Sequence, residues 1–182
     1  MRATEVSKTI RIPDDVEAAV EGRKVTVKSQ RGALTRDFSH APVSIKHEGK
    51  TIRILAEWPR KKEVALVGTL HSHIQNMIIG VKSGFTYKLK IVFSHFPISV
   101  KPKGKNILIE NFTGERSPRK VKIMGDVKVK VQSEDVIVQG TNLEDVSQTA
   151  ANIEQGTKVK GKDPRVFLDG IYIYERRRGM EE

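Results

Sequence analysis

The chain has 182 residues, with 33 Lys and Arg against 22 Asp and Glu, a formal net charge of +11 and no cysteine. The lack of cysteine excludes a disulfide scaffold and a thiolate zinc site, and a charge this high favours a polyanion such as nucleic acid as partner. The first residues, MRATEVSKTIRIP, lack the apolar core of a signal peptide, and no run approaches the ~20 apolar residues that span a bilayer, so we expect a soluble, cytoplasmic protein.

The first half of the chain begins with predicted strands and ends with one helix. Residues 21–32, EGRKVTVKSQRG, alternate β-branched and polar positions between two glycines, which is typical of a strand bounded by turns. Residues 43–54, VSIKHEGKTIRI, predict two further strands around a polar turn. From 62 to 79 apolar residues recur at three- and four-residue spacing, which predicts an amphipathic helix with the stripe Val67, Leu70, Ile74, Met77 and Ile78.

The second half repeats this order of elements. Residues 103–114, KGKNILIENFTG, match residues 21–32 with both glycines at one offset (104 − 22 = 82 and 114 − 32 = 82). Residues 127–138, VKVKVQSEDVIV, parallel the strand pair 43–54. Residues 85–93, FTYKLKIVF, are either the last strand of the first half or the bridge into the second.

A second helix follows these strands. Thr141 and Glu144 have the spacing of a capping box, and Gly156 is expected to end the helix in the left-handed conformation. The predicted α+β fold is a tandem duplication of two similar domains, residues 1–82 and 83–182, each an antiparallel β-sheet packed on one main α-helix. The apolar stripe of this second helix is predicted to be Val146, Ala150 and Ile153.

The sequence marks no catalytic centre. It lacks a GxxxxGK(S/T) phosphate loop, an HExxH motif, a GxSxG motif and a GxGxxG motif after a strand. His71 and His73 lie two apart in a predicted helix, whereas helical metal ligands need a spacing of three or four. Asp163 and Asp169 could be drawn as an acid and a base, but an aspartate beside a proline or a glycine is common in turns. We therefore expect no enzyme, no metal, no cofactor and no small-molecule substrate.

Positive charge is concentrated in residues 101–130 and 158–178. Cations on exposed loops and strands would contact phosphates without reading sequence. Most of the Tyr, Trp and Phe side chains are expected in the core, which favours folded RNA recognised by its backbone over stacking on single-stranded bases. The candidate RNA-binding residues are Lys101, Lys103, Arg116, Arg119, Lys120, Lys122, Lys158, Lys160, Lys162, Arg165, Arg176, Arg177 and Arg178.

The closing segment, GKDPRVFLDGIYIYERRRG (161–179), contains several of these cations. Asp163 and Pro164 are expected to shape a turn, and residues 166–168 are expected to pack inward. Alternating isoleucine and tyrosine predict a closing strand from Gly170 to Tyr174. The three arginines that follow are expected to form a basic tail.

Several short motifs occur in an order and spacing that together are highly specific. They are VTVKSQRGALTRDFSH (25–40), Trp58, KKEVALVGTLHSHIQNMIIGVKSGFTYK (61–88), SHFPI (94–98), ENFTGE (110–115), SQTAANIEQGTKVK (147–160) and KDPRVFLDGIY (162–172). These motifs resemble the large-subunit ribosomal protein L6 family over nearly the whole chain. The closing motif differs from the bacterial segment of the PEPYKGKG type, which indicates the archaeal or eukaryotic form.

The resemblance implies a non-catalytic, two-domain protein of the large ribosomal subunit. It implies binding to large-subunit rRNA near the sarcin-ricin loop, at the stalk base where elongation factors dock and other ribosomal proteins lie. It also implies that the second domain makes most of the RNA contact, through the lysines of TKVKGKD, Arg165 and the basic residues from Gly114 to Lys122. The arginines at 176–178 lie past the shared motifs, so their contact rests on charge alone.

Two other classes of function remain open at this point. One is a tandem β-domain adaptor that binds an acidic protein partner, because the same charge would suit such a partner. The other is a basic enzyme acting on nucleic acid, which the missing catalytic site disfavours.

Overall fold

The computed structural model describes residues 4–163 and 165–180. The chain divides into two compact units, Met1–Ser83 and Gly84–Glu182. Pro164, which was predicted to shape a turn with Asp163, lies outside the described residues.

The described part of the first unit contains six strands and one long helix. These are β1 (Glu5–Arg11), β2 (Glu17–Glu21), β3 (Lys24–Ser29), β4 (Gly32–Asp37), β5 (Ser44–Glu48), β6 (Thr51–Glu57) and α1 (Lys61–Lys82). The strands form two antiparallel sheets, in the orders β2-β3-β4 and β1-β6-β5. Strand alternation places one set of side chains in the core, as in β6, where Ile52, Ile54 and Ala56 are buried.

Helix α1 packs against strands of both sheets, namely β1, β3, β4 and β6. It begins where the backbone N–H of Arg60 donates to the carboxylate of Glu63 at 2.7 Å, which satisfies a donor near the helix start. Its last residue, Lys82, pairs with Asp15 at 3.2 Å. The predicted stripe is confirmed, because its five members are all buried: Val67, Leu70, Ile74, Met77 and Ile78.

The composition of α1 approaches that of a membrane span more closely than was expected from the sequence. By length and composition the helix could cross a bilayer, with a mean hydropathy of 1.2 over an 18-residue window. This is weak evidence, because the core helix of a soluble protein passes the same test. The apolar face of α1 packs on a core that includes the fully buried Val25, Val27, Ile52 and Ile54, so α1 is a core helix.

The described part of the second unit contains seven strands, one short 3-10 turn and one helix. These are β7 (Phe85–Val92), β8 (Ser99–Lys103), β9 (Asn106–Glu110), the turn Phe112–Gly114, β10 (Arg119–Lys122), β11 (Lys128–Gln132), β12 (Asp135–Gly140), α2 (Leu143–Gly156) and β13 (Gly170–Arg178). The strands form two antiparallel sheets, in the orders β10-β9-β8 and β11-β12-β7-β13. Helix α2 packs against β7, β10, β12 and β13.

The strand order of the first unit recurs in the second. The sheet β2-β3-β4 corresponds to β8-β9-β10, and β1-β6-β5 corresponds to β7-β12-β11. The α+β tandem duplication is therefore confirmed, although each half contains two small antiparallel sheets where one was predicted. The segment 85–93 belongs to the second unit, because β7 pairs with β12 and β13. Strand β13 is an addition on the free edge of β7.

Helix α2 begins one residue later than a cap at Thr141 would require. Asn142 is the N-cap, and its side-chain oxygen accepts from the N–H of Glu144 at 3.1 Å. The predicted capping box of Thr141 and Glu144 is therefore wrong, since the first helical residue is Leu143. The predicted apolar stripe is confirmed by three fully buried side chains, Val146, Ala150 and Ile153.

Gly156 is the last residue of α2 and does not adopt the predicted left-handed conformation. The helix is closed by Thr157, whose hydroxyl donates to the carbonyls of Ile153 and Glu154 at 3.1 Å each. A glycine is required at 156 for a different reason: a Cβ there would lie 2.7 Å from Cγ2 of Val121. Close packing of the helix end on β10 therefore selects the glycine.

The aromatic side chains are more exposed than predicted. Of the ten aromatic residues, the buried ones are Phe38, Phe85 and Phe112. Five are exposed, and Trp58, at 71% exposed and with a φ of 48°, is the extreme case. The expectation of mostly core aromatics is wrong because several lie in connections or on outward strand positions: Trp58, Phe93, Phe96, Tyr172 and Tyr174.

Candidate nucleic-acid interface

The three-stranded sheet β10-β9-β8 displays four of the predicted lysines on one face. Residues directly opposite each other on antiparallel strands point to the same side of the sheet. All four lysines are exposed. The strand register aligns them across β9 in two rows, Lys101–Leu108–Lys120 and Lys103–Asn106–Lys122.

The reverse face of this sheet fixes the direction of these lysines. The alternate positions Val100, Ile107, Ile109 and Val121 are buried, so the lysines between them must face outward. Strand spacing places the lysines of one row about 10 Å apart and the two rows about 7 Å apart. Lys101, Lys103, Lys120 and Lys122 thus form a regular lysine grid on a fixed sheet backbone. The surface ion pair from Lys101 to Glu110, at 2.6 Å, contributes little to stability.

Arg119 was grouped with Lys120 as a candidate RNA contact, but strand alternation sends its side chain to the other face. The guanidinium donates to the carboxylate of Glu115 at 2.8 Å and to the carbonyl of Gly156, at the end of α2, at 2.8 Å. It also lies 4.2 Å from the ring centroid of Phe112. The hydrogen bond from Arg119 lowers the pKa of Glu115 below its ordinary value. The contacts of Arg119 therefore join β10 to helix α2.

The loop after α2 carries Lys158, Lys160, Lys162 and Arg165, all exposed. Its start is fixed by Thr157, whose hydroxyl accepts from the N–H of Ile171 at 3.0 Å. The carbonyl of Lys158 lies 3.4 Å from the Arg119 guanidinium. The loop therefore starts beside the edge strand β10, on the face that Arg119 occupies.

The far end of this loop is held by Asp169. Its carboxylate is 1% exposed and accepts from the backbone N–H of Ser94 at 2.9 Å. Nδ1 of His95 lies 2.9 Å from the same carboxylate. Burial raises the pKa of Asp169, but the hydrogen bonds from Ser94 and His95 outweigh burial and hold that pKa well below its usual range. The expectation of local turn chemistry for Asp169 is wrong, because its partners lie about 75 residues away in the sequence.

Phe167 forms the middle of a stack inside the loop. Its ring lies 4.7 Å from the His95 ring, centroid to centroid, and Nζ of Lys162 lies 4.3 Å from the Phe167 centroid. Phe167 is only partly buried, while Val166 and Leu168 are 58% and 55% exposed. The prediction that residues 166–168 pack inward is therefore wrong. The loop is anchored through Phe167 and Asp169 and leaves Val166 and Leu168 at the surface.

Local turn chemistry is confirmed at Asp163. Its side chain accepts from the N–H of Arg165 at 2.9 Å, and its carbonyl accepts from the N–H groups of Val166 and Phe167. The resulting turn leaves the Arg165 side chain exposed.

The three arginines at 176–178 lie in strand β13 and do not form the predicted tail. They pair in register with Tyr87, Thr86 and Phe85 of β7. A register shift between Ile173 and Glu175 separates them from the alternating part of the strand. The guanidinium of Arg176 lies 5.8 Å from the Tyr87 ring centroid. Strand β13 extends past its predicted end at Tyr174, because its backbone pairing with β7 continues to Arg178.

Arg116 is exposed in the connection before β10, apart from the grid of lysines. The residues that shape the interface, Thr157, Asp169, Ser94 and His95, were not found by sequence reasoning, because no local spacing links partners so far apart. No group of three His, Asp or Glu that could hold a metal occurs among residues 4–163 and 165–180.

Comparisons with known proteins agree with this architecture. The family model described as Ribosomal protein L6 matches residues 12–84 and again residues 96–170. Large ribosomal subunit protein uL6 of Methanosphaera stadtmanae is 50% identical over 178 residues, which cover 97% of each chain. The uL6 protein of Desulfurococcus amylolyticus is 51% identical over 178 residues, covering 96% of this chain and 97% of its own. With a family model matching both units and near full-length relatives at this identity, the chain belongs to the ribosomal protein L6 family.

Proposed function

We propose that this protein is a structural, non-enzymatic component of the large ribosomal subunit in the cytoplasm. Its family membership supports this role, since the similar archaeal proteins are named Large ribosomal subunit protein uL6. The role requires no cofactor and no small-molecule substrate. Its principal partner is large-subunit rRNA, and neighbouring ribosomal proteins complete its surroundings.

The second unit is the main RNA-binding unit in this proposal. It binds large-subunit rRNA near the sarcin-ricin loop, at the base of the stalk, and braces the region where translation factors dock. The resemblance to the ribosomal protein L6 family over nearly the whole chain supports this location.

The observation that carries the RNA contact is the arrangement of exposed cations in the second unit. Two rows of lysines project from the sheet β10-β9-β8, and four further cations lie on the loop that starts beside β10. Contacts from such cations to phosphates release counterions, so affinity must fall steeply with salt. The sheet and the anchored loop fix the backbone that carries the cations, so binding orders side chains without also having to order the backbone.

The loop cations are tested by replacing Lys158, Lys160, Lys162 and Arg165 together with glutamine in the full chain. Affinity for transcribed large-subunit rRNA is measured over a salt series. We expect the slope of log K against log salt to become shallower by about one for each phosphate that the variant no longer neutralises.

The matched control replaces Lys28 and Lys46, two exposed strand lysines of the first unit, with glutamine. It should leave the slope unchanged. A quadruple variant with the wild-type slope would place the phosphate contacts elsewhere. Retention of the bound partner after nuclease treatment would favour an acidic protein instead of RNA.

The location is tested by crosslink mapping of the protein on rRNA in intact large subunits. We expect crosslinks in the sarcin-ricin loop and the helices at the stalk base. Crosslinks confined to a distant part of the rRNA would contradict the location but would leave RNA binding in place.

A further inference from the structure

A cavity of about 380 Å³ lies directly beside the basic loop of the second unit. This volume is typical of sites for small organic groups. Its polar lining includes Glu154, Gln155 and Lys158, and its apolar lining is Val159, Phe167 and Tyr172. The cavity therefore combines aromatic walls with hydrogen-bonding groups.

The cavity walls are fixed by contacts within the unit. The carboxylate of Glu154 accepts from the N–H of Ile173 at 3.2 Å. The hydroxyl of Tyr172 donates to the carbonyl of Leu168 at 3.1 Å. Phe167 is held by its stack with His95. Because these groups are already positioned, a flat ligand could enter without reorganising the loop.

The lining determines which part of an RNA chain would fit. A phosphate inside the cavity would meet apolar walls and the negative charge of Glu154, and the lining cation, Lys158, is exposed, so the backbone fits the mouth better than the interior. An unstacked base has a flat aromatic face and polar edges, and RNA-binding proteins often stack such bases on aromatic rings. Glu154 provides an acceptor, and Gln155 provides both an acceptor and donors.

The surroundings of the cavity favour a nucleic acid over a protein side chain. Lys158 is both part of the lining and exposed, and Lys162 lies over the Phe167 ring. Lys160 and Arg165 are exposed within two residues of lining residues along the same loop. Cations placed around the mouth would hold the phosphates that flank an inserted base.

We propose that this cavity receives one unstacked nucleobase of the bound rRNA while the surrounding cations hold the adjacent phosphates. This inference rests on the proposed function and adds a base-binding subsite to a surface otherwise built for phosphates. It gives the exposed Tyr172 a role in stacking, while Phe167, which already contacts His95 and Lys162 through its ring, serves as a wall of the cavity.

The test fills the cavity without removing a cation, through Val159→Phe in the full chain. The matched control is Val166→Phe, the same substitution on the same loop at a residue that is 58% exposed and does not line the cavity. Affinity for transcribed large-subunit rRNA is measured over a salt series for both variants. Val159→Phe should weaken binding by about 5- to 100-fold, the effect of losing one stacked base.

The salt dependence separates base insertion from phosphate contact. In Val159→Phe the slope of log K against log salt should match the wild type, because every cation remains. Equal affinity of the two variants would overturn the inference, and so would a loss of affinity accompanied by a shallower slope. If wild-type binding has no salt dependence, the proposed RNA contact itself fails, which is a separate result.

A second measurement uses the wild-type protein and does not depend on how any variant folds. Ultraviolet irradiation of the rRNA complex crosslinks bases to aromatic side chains in contact, and mass spectrometry identifies the residue. We expect a crosslink from one nucleotide to Tyr172 or Phe167. Crosslinks that occur only in other segments would contradict an inserted base.

Discussion

Arg119 and Lys120 are sequence neighbours of the same charge class, yet they serve different purposes. Arg119 contacts Glu115, the carbonyl of Gly156 and the Phe112 ring, whereas Lys120 points outward in the lysine grid. Alternation along β10 separates them, because successive side chains of a strand face opposite sides. Stability should therefore depend on Arg119, and RNA affinity should depend on Lys120.

We expect Arg119→Ala to lower the free energy of unfolding by about 1–3 kcal/mol, because the Glu115 carboxylate and the partly buried carbonyl of Gly156 lose their donor. Lys120→Gln should change it by less than about 0.5 kcal/mol, since the side chain is exposed. Guanidinium unfolding of both variants compares them directly. Equal stability of the two would show that Arg119 does not support α2.

Asp169 provides a prediction that depends on pH. Its lowered pKa means that the unfolded chain binds more protons, so its contribution to stability is present above about pH 4, the ordinary value for a carboxyl, and is lost as the pH falls towards the lowered pKa. Asp169→Asn should lower the free energy of unfolding by about 1–3 kcal/mol at pH 7, because an amide cannot accept all four hydrogen bonds.

The stability difference between wild type and Asp169→Asn should therefore shrink as the pH falls below about 4. Denaturant unfolding at pH 7, 5 and 3 measures this difference. A difference that stays constant over this range would mean that the carboxylate charge contributes nothing to the loop anchor.

At the scale of elements, the end of α2 illustrates a conflict between local preference and packing. Helix propensity alone predicts that Gly156→Ala stabilises the protein by up to about 1 kcal/mol. The close approach of Val121 reverses this sign, because the new Cβ would lie 2.7 Å from a buried methyl group. We expect Gly156→Ala to be destabilising by about 1–3 kcal/mol in denaturant unfolding.

The control for this prediction removes the obstructing methyl groups. In a Val121→Ala background, Gly156→Ala should cost much less or should stabilise, since the clash is gone and the propensity gain remains. The same penalty in both backgrounds would show that the contact with β10 does not select the glycine.

At the scale of the whole molecule, the lysine grid and the loop cations are two separate basic sets, because the loop starts on the face of β10 that Arg119 occupies and the four lysines project from the other face. We expect rRNA to contact both sets. Replacing Lys101, Lys103, Lys120 and Lys122 with glutamine should make the salt slope shallower by about one for each phosphate left without its lysine. Combining these changes with the four loop substitutions should add the two effects in the rRNA titration. If the combined variant has the same salt slope as the variant of one set, and the variant of the other set has the wild-type slope, only the first set contacts RNA.

Both helices and most of the longer alternating strands are determined by the sequence alone. Alternation between turn residues predicted the strands within 21–32, 43–54, 103–114 and 127–138 but missed β1, β2, β4, β8 and β10. The stripes from Val67 to Ile78 and from Val146 to Ile153 predicted both helices. The physical reason is that periodicity and turn residues act over a few positions, so they can be read along the chain. The repeated order of elements also indicated duplication, and the ordered set of short motifs indicated the family.

Only the tertiary structure decided how the candidate site is assembled. The sequence could not separate Arg119 from its neighbours, place the arginines at 176–178 in a strand, or join Asp169 to Ser94. These outcomes depend on strand register and on contacts between residues distant in the sequence, which no local pattern encodes. The sequence thus determined that the chain is a basic protein with a duplicated α+β fold. Tertiary packing decided which of its cations face outward and which support the fold.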